Sequence, residues 1–133
     1  MTGKENGAPL HTSGLGKQGE REAEEFLKNA GMEILARNFR PERKSHSKGG
    51  EIDLIALDGA AIVFVEVKSW SRYGIENLEL SISAKKQRRI IETAKFFLSK
   101  YREYIGMTVR FDVVFINRDC PPTHLVSAFS ESV

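Results

Sequence analysis

This chain of 133 residues has one cysteine, four prolines and no long apolar run. Lone Cys120 cannot form an internal disulfide and has no Cys partner for a zinc site. No stretch approaches the ~20 apolar residues that a membrane-spanning helix needs. The N-terminus lacks the apolar core of a secretory signal, and the expected location is a reducing cytoplasm. A net charge of +2 excludes a strongly polybasic or polyacidic chain. There is no internal repeat and no second domain. The hydrophobic fraction of 41% suffices for one core, and a domain of this length buries about two-thirds of its unfolded surface.

What is present begins with Gly50-Glu51-Ile52-Asp53 and, further on, Glu66-Val67-Lys68. Both lie in apolar stretches that read as buried strands, Ile52 to Leu57 and Ile62 to Val67. Ionised groups beside a core are costly unless paired or bound to a cation. With alternating faces, Glu66 and Lys68 share a face with Ile62 and Phe64. Asp53 shares one with Glu51, Ile55 and Leu57. Asp58-Gly59 reads as a two-residue hairpin turn. That turn pairs Leu57 with Ala60 and sets Asp53 opposite Phe64. Glu66 becomes its diagonal neighbour, roughly 7–8 Å away. A loop one residue longer would separate the two acids onto opposite faces. Clustered carboxylates repel unless protonated or bridged. A hard divalent ion such as Mg2+ fits the pair, and the Lys68 ammonium can orient a water or stabilise phosphate charge. The same residues also fit a buried Glu–Lys ion pair with Asp53 at a strand end; residue type alone leaves both readings open.

Around these motifs, residues 1–13 read as a disordered tail and 14–133 as the folded domain. A helix is expected over about 16–30, with Ala23, Phe26, Leu27 and Ala30 as its apolar stripe. Strands are expected at about 32–39, 51–57, 61–68 and 111–116. A long helix should run from about Ala84 to Tyr104, N-capped by Ser83. Pro121-Pro122 should break the chain before a last short strand at about 123–129. Residues 84–110 hold eight Lys or Arg against Glu92 and Glu103, and residues 37–48 hold five against Glu42. Positive side chains in a helix's first turns oppose its dipole. A phosphate backbone passing that end would explain them. Arg40, Arg43, Lys44, Lys48, Lys85, Lys86, Gln87 and Arg89 are the candidate nucleic-acid contacts. Asp112 reads as a structural salt-bridge partner, and His46 and His124 as non-catalytic. Trp70 and Tyr73 are candidates for stacking on an unpaired base.

The Asp53-x12-Glu66-Val67-Lys68 spacing resembles the PD-(D/E)XK nuclease signature. The wider set resembles the YraN family of small bacterial proteins, itself similar to archaeal Holliday junction resolvases. That set is Gly16-Lys17-Gln18-Gly19-Glu20, Asn38-Phe39-Arg40, Gly50-Glu51-Ile52-Asp53-Leu54-Ile55, Phe64-Val65-Glu66-Val67-Lys68, Lys86-Gln87, Arg110-Phe111-Asp112-Val113-Val114 and Ala128-Phe129. The resemblance implies an α/β fold with a restriction-endonuclease-like three-layer core. A central mixed β-sheet would be flanked by helices, in the order α-β-β-β-α-β. It implies metal-dependent hydrolysis of DNA phosphodiesters, with structured or branched DNA in repair or recombination as the substrate. Asp53, Glu66 and the Val67 carbonyl would hold Mg2+, with Mn2+ as a substitute. Lys68 would position the attacking water, and Glu20 in the first helix would point toward the metal. A homodimer is implied; no small-molecule cofactor or membrane partner is. Two departures touch substrate contacts carried over from relatives. The 41–48 link is long, and Ser69-Trp70 stands where an Arg often follows the lysine. The alternative reading is a non-catalytic nucleic-acid-binding module that keeps the fold. A third is a protein-binding scaffold with a structural ion pair. The intact Asp/Glu/Lys set favours the enzyme.

Overall fold

A computed structural model describes residues 12–41, 50–69, 82–117 and 119–131. Its elements are α1 (Thr12–Asn29), β1 (Glu33–Phe39), β2 (Ile52–Asp58), β3 (Ala61–Ser69), α2 (Ala84–Lys100), a 3-10 turn (Arg102–Tyr104), β4 (Thr108–Asn117) and β5 (Cys120–Phe129). The five strands form one mixed sheet in sequence order. Neighbours are antiparallel except β3 and β4, which are parallel. A parallel pair needs a crossover connection, and α2 lies within it. The fold is α/β, a five-stranded sheet flanked by two helices, consistent with a restriction-endonuclease-like core. None of the described helices is long and apolar enough to cross a membrane. Apart from its last two residues, the tail expected over 1–13 lies outside the described residues, as do His46, Trp70 and Tyr73.

Two apolar layers cover the sheet. Ala23 and Leu27 of α1 pack on Leu54, Ala56, Val63, Val65, Val114 and Ile116. Ile90, Ile91, Ala94 and Phe97 of α2 pack on Ile55, Ile62, Phe64 and Phe111. The alternation of β3 explains this division, since Val63 and Val65 face α1 while Ile62 and Phe64 face α2. In β2 the alternation breaks. Ile52 packs with Ile55 in the α2 layer, where period two would group it with Leu54. The irregularity surrounds Asp53, and strict parity did not anticipate it.

The hairpin register also differs from expectation. Leu57 pairs with Ile62 and Asp58 with Ala61. The turn is therefore Gly59-Ala60, one residue later than the Asp58-Gly59 motif suggests. Gly59 has φ +59°, and Ala60 does not share a positive φ. A single positive φ at the first central position, with glycine there, is the pattern of a II′ turn. A two-residue shift in register leaves each side chain on its face. It does change the partners. Ile55, not Asp53, is opposite Phe64.

Helix α2 begins as expected, with the Ser83 hydroxyl accepting from the Lys86 amide at 3.1 Å. Ser83→Ala should lower stability by about 1 kcal/mol, a loss that urea melts would register. The helix stops at Lys100, short of the expected Tyr104. Tyr101 leaves helical geometry at φ −111°, ψ 84°. Its ring packs against Phe97 (centroids 4.7 Å apart) and Phe39 (6.5 Å), within an aromatic group that includes Tyr104. Those contacts compete with helix continuation.

Pro121 and Pro122 do not precede the last strand but lie within β5. Proline costs little there because, among the described strands, β5 lies at the sheet edge and pairs with β4 alone. Asp112 anchors that edge. It is fully buried and accepts from Arg110 Nε (3.0 Å) and Nη2 (2.9 Å) and from the Ser127 amide (3.0 Å), with His124 Nε2 at 2.7 Å. Burial alone would raise its pKa, but the bonds from His124, Arg110 and Ser127 outweigh it and hold the carboxyl below its ordinary value. This agrees with a structural role for Asp112 and gives His124 one too.

Candidate active site

Helix α1 and strand β1 are fixed to each other by a fork. Arg37 donates from Nε and Nη2 to the two carboxylate oxygens of Glu24, the first at 2.7 Å. Such a bidentate pair fixes direction as well as distance. It brings the preceding helical turn, with Glu20, beside the next residue of β1, Asn38. Asn38 adopts φ +50°, a region that asparagine tolerates better than most residues. Its Nδ2 donates to Glu20 Oε1 at 2.9 Å and to Glu51 Oε2 at 2.6 Å. The other oxygen of Glu51 accepts from Arg40 Nη2 at 2.9 Å. One carboxylate oxygen from each of Glu20, Glu51 and Asp53 lies within 4.8 Å of the other two.

The β2–β3 hairpin supplies the remaining groups. The β2–β3 pairing runs from Asp58–Ala61 to Leu54–Val65, and Asp53 and Glu66 are the next residues beyond its end. Their carboxyls lie close enough to hydrogen-bond and to act on each other's charge. Asp53 Oδ2 accepts the Val67 amide at 2.8 Å. Glu66 is 5% exposed. Its Oε2 meets Lys86 Nζ at 3.0 Å, while its buried Oε1 has no hydrogen-bond partner among the described residues. The loop before β2 is held to α2 by the fully buried Thr93, whose hydroxyl donates to the Gly50 carbonyl at 2.6 Å.

These positions make ionisation costly. Burial, followed by the charge of Glu66, pushes the Asp53 pKa up to about 8. Glu20 and Glu51 add to the rise, and the Val67 amide opposes it. Burial also raises Glu66, against the opposing influence of Lys86, of the hydrogen bond with Asp53 and of the positive charge on Lys68. A divalent cation is the natural remedy for such crowding. The donors are all carboxylate oxygens, as a hard cation requires, and the orphaned Glu66 Oε1 has unused acceptor capacity. The residues present therefore fit a divalent metal.

The expected site residues fare differently. Asp53 meets Glu20 on one hand and Glu66 on the other, and Lys68, half-buried two residues beyond Glu66, acts on the charge of Glu66. Val67 touches the group through its amide. Lys85 and Arg89 are exposed on the first turns of α2. Lys86, expected at a nucleic acid, is paired with Glu66, and Arg40 with Glu51. The Gln87 side chain donates to the Ile82 carbonyl at 3.0 Å. Arg43, Lys44 and Lys48 lie outside the described residues. Glu51 reads as marginal in sequence, yet it joins the acidic group. Asn38 stands in the Asn38-Phe39-Arg40 piece of the resemblance without a role of its own; its local signal is that asparagine accepts a left-handed backbone.

A family profile matches residues 19–116, a span that contains every described member of this site. The chain belongs to Uncharacterised protein family UPF0102, the YraN family. UPF0102 proteins similar to it include one from Persephonella marina, 50% identical over 76% of this chain and 81% of the relative. One from Treponema denticola is 38% identical over 88% and 95%. One from Treponema pallidum is 40% identical over 94% and 99%. Family members thus match across nearly the whole domain and not only at the Glu-Val-Lys motif.

Proposed function

We propose that this protein is a metal-dependent endonuclease that hydrolyses DNA phosphodiester bonds. The observation that carries this reading is the buried contact between the Asp53 and Glu66 carboxyls, with Lys68 acting on Glu66 and the buried Glu66 Oε1 unpartnered among the described residues. Asp53 and Glu66 would hold Mg2+ or Mn2+, and Glu20 and Glu51, whose oxygens lie within 4.8 Å of that of Asp53, would be available to it. When bound, the cation supplies charge that a phosphate in reaction can lean on. Lys68 positions the attacking water through its ammonium group. The water's oxygen forms the new bond to phosphorus and gives up a proton as the bond to the leaving sugar oxygen breaks, and that oxygen takes up a proton from solvent. Exposed Lys85 and Arg89 at the α2 N-terminus, where free amides also favour an anion, would take the neighbouring phosphates.

Labelled four-way junctions, flaps, single strands and duplexes should be incubated with the protein in Mg2+, Mn2+ or EDTA. We expect cutting with either metal and none in EDTA; cleavage that survives EDTA would sink the mechanism. One observation favours a second reading, a nucleic-acid-binding module without catalysis. Lys86 already neutralises Glu66. That reading expects salt-sensitive binding without cutting in every lane.

A further inference from the structure

Asn38 bridges two acids that have no reason to approach each other. Its single amide nitrogen donates to Glu20 on α1 and to Glu51 before β2. It thereby ties together three segments far apart in sequence. The amide contributes two N–H donors and no charge. A lysine or arginine here would hold the same carboxylates and cancel the negative potential that attracts a cation. An amide gathers them without adding a charge to the one that Arg40 already brings to Glu51. The backbone supports this role. Asn38 departs from strand geometry at φ +50°, and its neighbours Arg37 and Phe39 keep their pairings with Leu54 and Ile52. The excursion is confined to one residue, the one whose side chain reaches the acids. Backbone of this kind is unfavourable for residues with a Cβ, and such excursions tend to occur at functional sites.

We infer that Asn38 is a positioning residue, which sets the Glu20 and Glu51 carboxylates beside Asp53 so that the group can take a divalent cation. The inference rests on the metal-dependent reading above. It extends that reading to a residue outside the Asp/Glu/Lys signature. Partners that orient metal-binding carboxylates typically change affinity by about 10–100-fold when removed.

The test is Mn2+ binding by calorimetry at pH 8, alongside cleavage, in wild type, Asn38→Ala and Asn38→Gly. Alanine deletes the amide but strains the backbone at positive φ. Glycine deletes the amide and accepts that backbone freely. We expect Asn38→Gly to bind Mn2+ at least about 10-fold more weakly, with an unchanged or higher melting temperature in EDTA. Equal Mn2+ affinity in Asn38→Gly and wild type would overturn the positioning role and leave the nuclease reading standing. A wild type that neither binds Mn2+ nor cuts DNA would overturn both.

Discussion

Asp53→Asn should abolish cleavage while making the metal-free protein more stable. Asparagine keeps the shape of the side chain, and its carbonyl oxygen can still accept the Val67 amide, now at 2.8 Å from Asp53. What disappears is the charge. A catalytic metal contributes several kcal/mol of charge stabilisation. At ~1.4 kcal/mol per decade, losing a principal ligand should cost on the order of 10³-fold in single-turnover rate. Glu66→Gln should behave alike in activity. The stability effect runs the other way for Asp53, since its carboxylate is buried near Glu66, Glu20 and Glu51 and gains no cationic partner of its own. The melting temperature in EDTA at pH 8 should therefore rise. Loss of activity with a gain in stability cannot come from unfolding. A variant retaining a tenth of the wild-type rate would refute the assignment of Asp53.

In EDTA, the protein should lose stability as the pH rises from about 4 to about 8. Asp53 has an ordinary pKa of 3.8, and the fold pushes it up to about 8. Between these values the folded protein holds a proton that the unfolded chain releases. The stabilisation is complete below 3.8 and is lost as pH climbs through the folded value. Glu66 is raised as well and acts in the same direction. Together they should make stability fall by a few kcal/mol across this range. Asp112 and Glu24 are held below their ordinary values. Their contribution is lost as pH falls below about 4, so it does not mask the trend. Urea melts from pH 5 to 9 would measure the slope. Asp53→Asn should flatten much of it, and Mg2+ should raise the melting temperature more at pH 8 than at pH 6. A wild-type profile that is flat or rises with pH would show that these carboxyls ionise freely in the fold.

Much of the molecule was legible in its residues. The apolar runs Ile52–Leu57 and Ile62–Val67 read as buried strands, and the Asp-Gly step announced a turn that the structure places one residue later. Ser83 ahead of a 3.6-residue apolar pattern announced α2 and its cap. The acids and lysine stood out because charge is costly in such runs. Local rules misjudged three places, each for a physical reason. The hairpin slid by two residues, an adjustment that keeps every side chain on its face and that face patterning therefore cannot detect. The end of α2 yielded to ring packing among Phe39, Phe97, Tyr101 and Tyr104, which are distant in sequence. The prolines of β5 were acceptable because only one side of that strand is paired, and edge position is a property of the whole sheet.

The site divides along the same line. Sequence alone determined which residues could carry the chemistry, Asp53, Glu66 and Lys68, because residue type and burial are encoded locally. The tertiary structure decided what each of them faces. It brought the Asp53 and Glu66 carboxyls against each other, turned Lys86 inward to Glu66, and gathered Glu20, Asn38 and Glu51 from three separate segments. Those encounters depend on the Glu24–Arg37 fork, the Thr93–Gly50 tether and the sheet register. Each is a long-range constraint that exists only once the chain has folded.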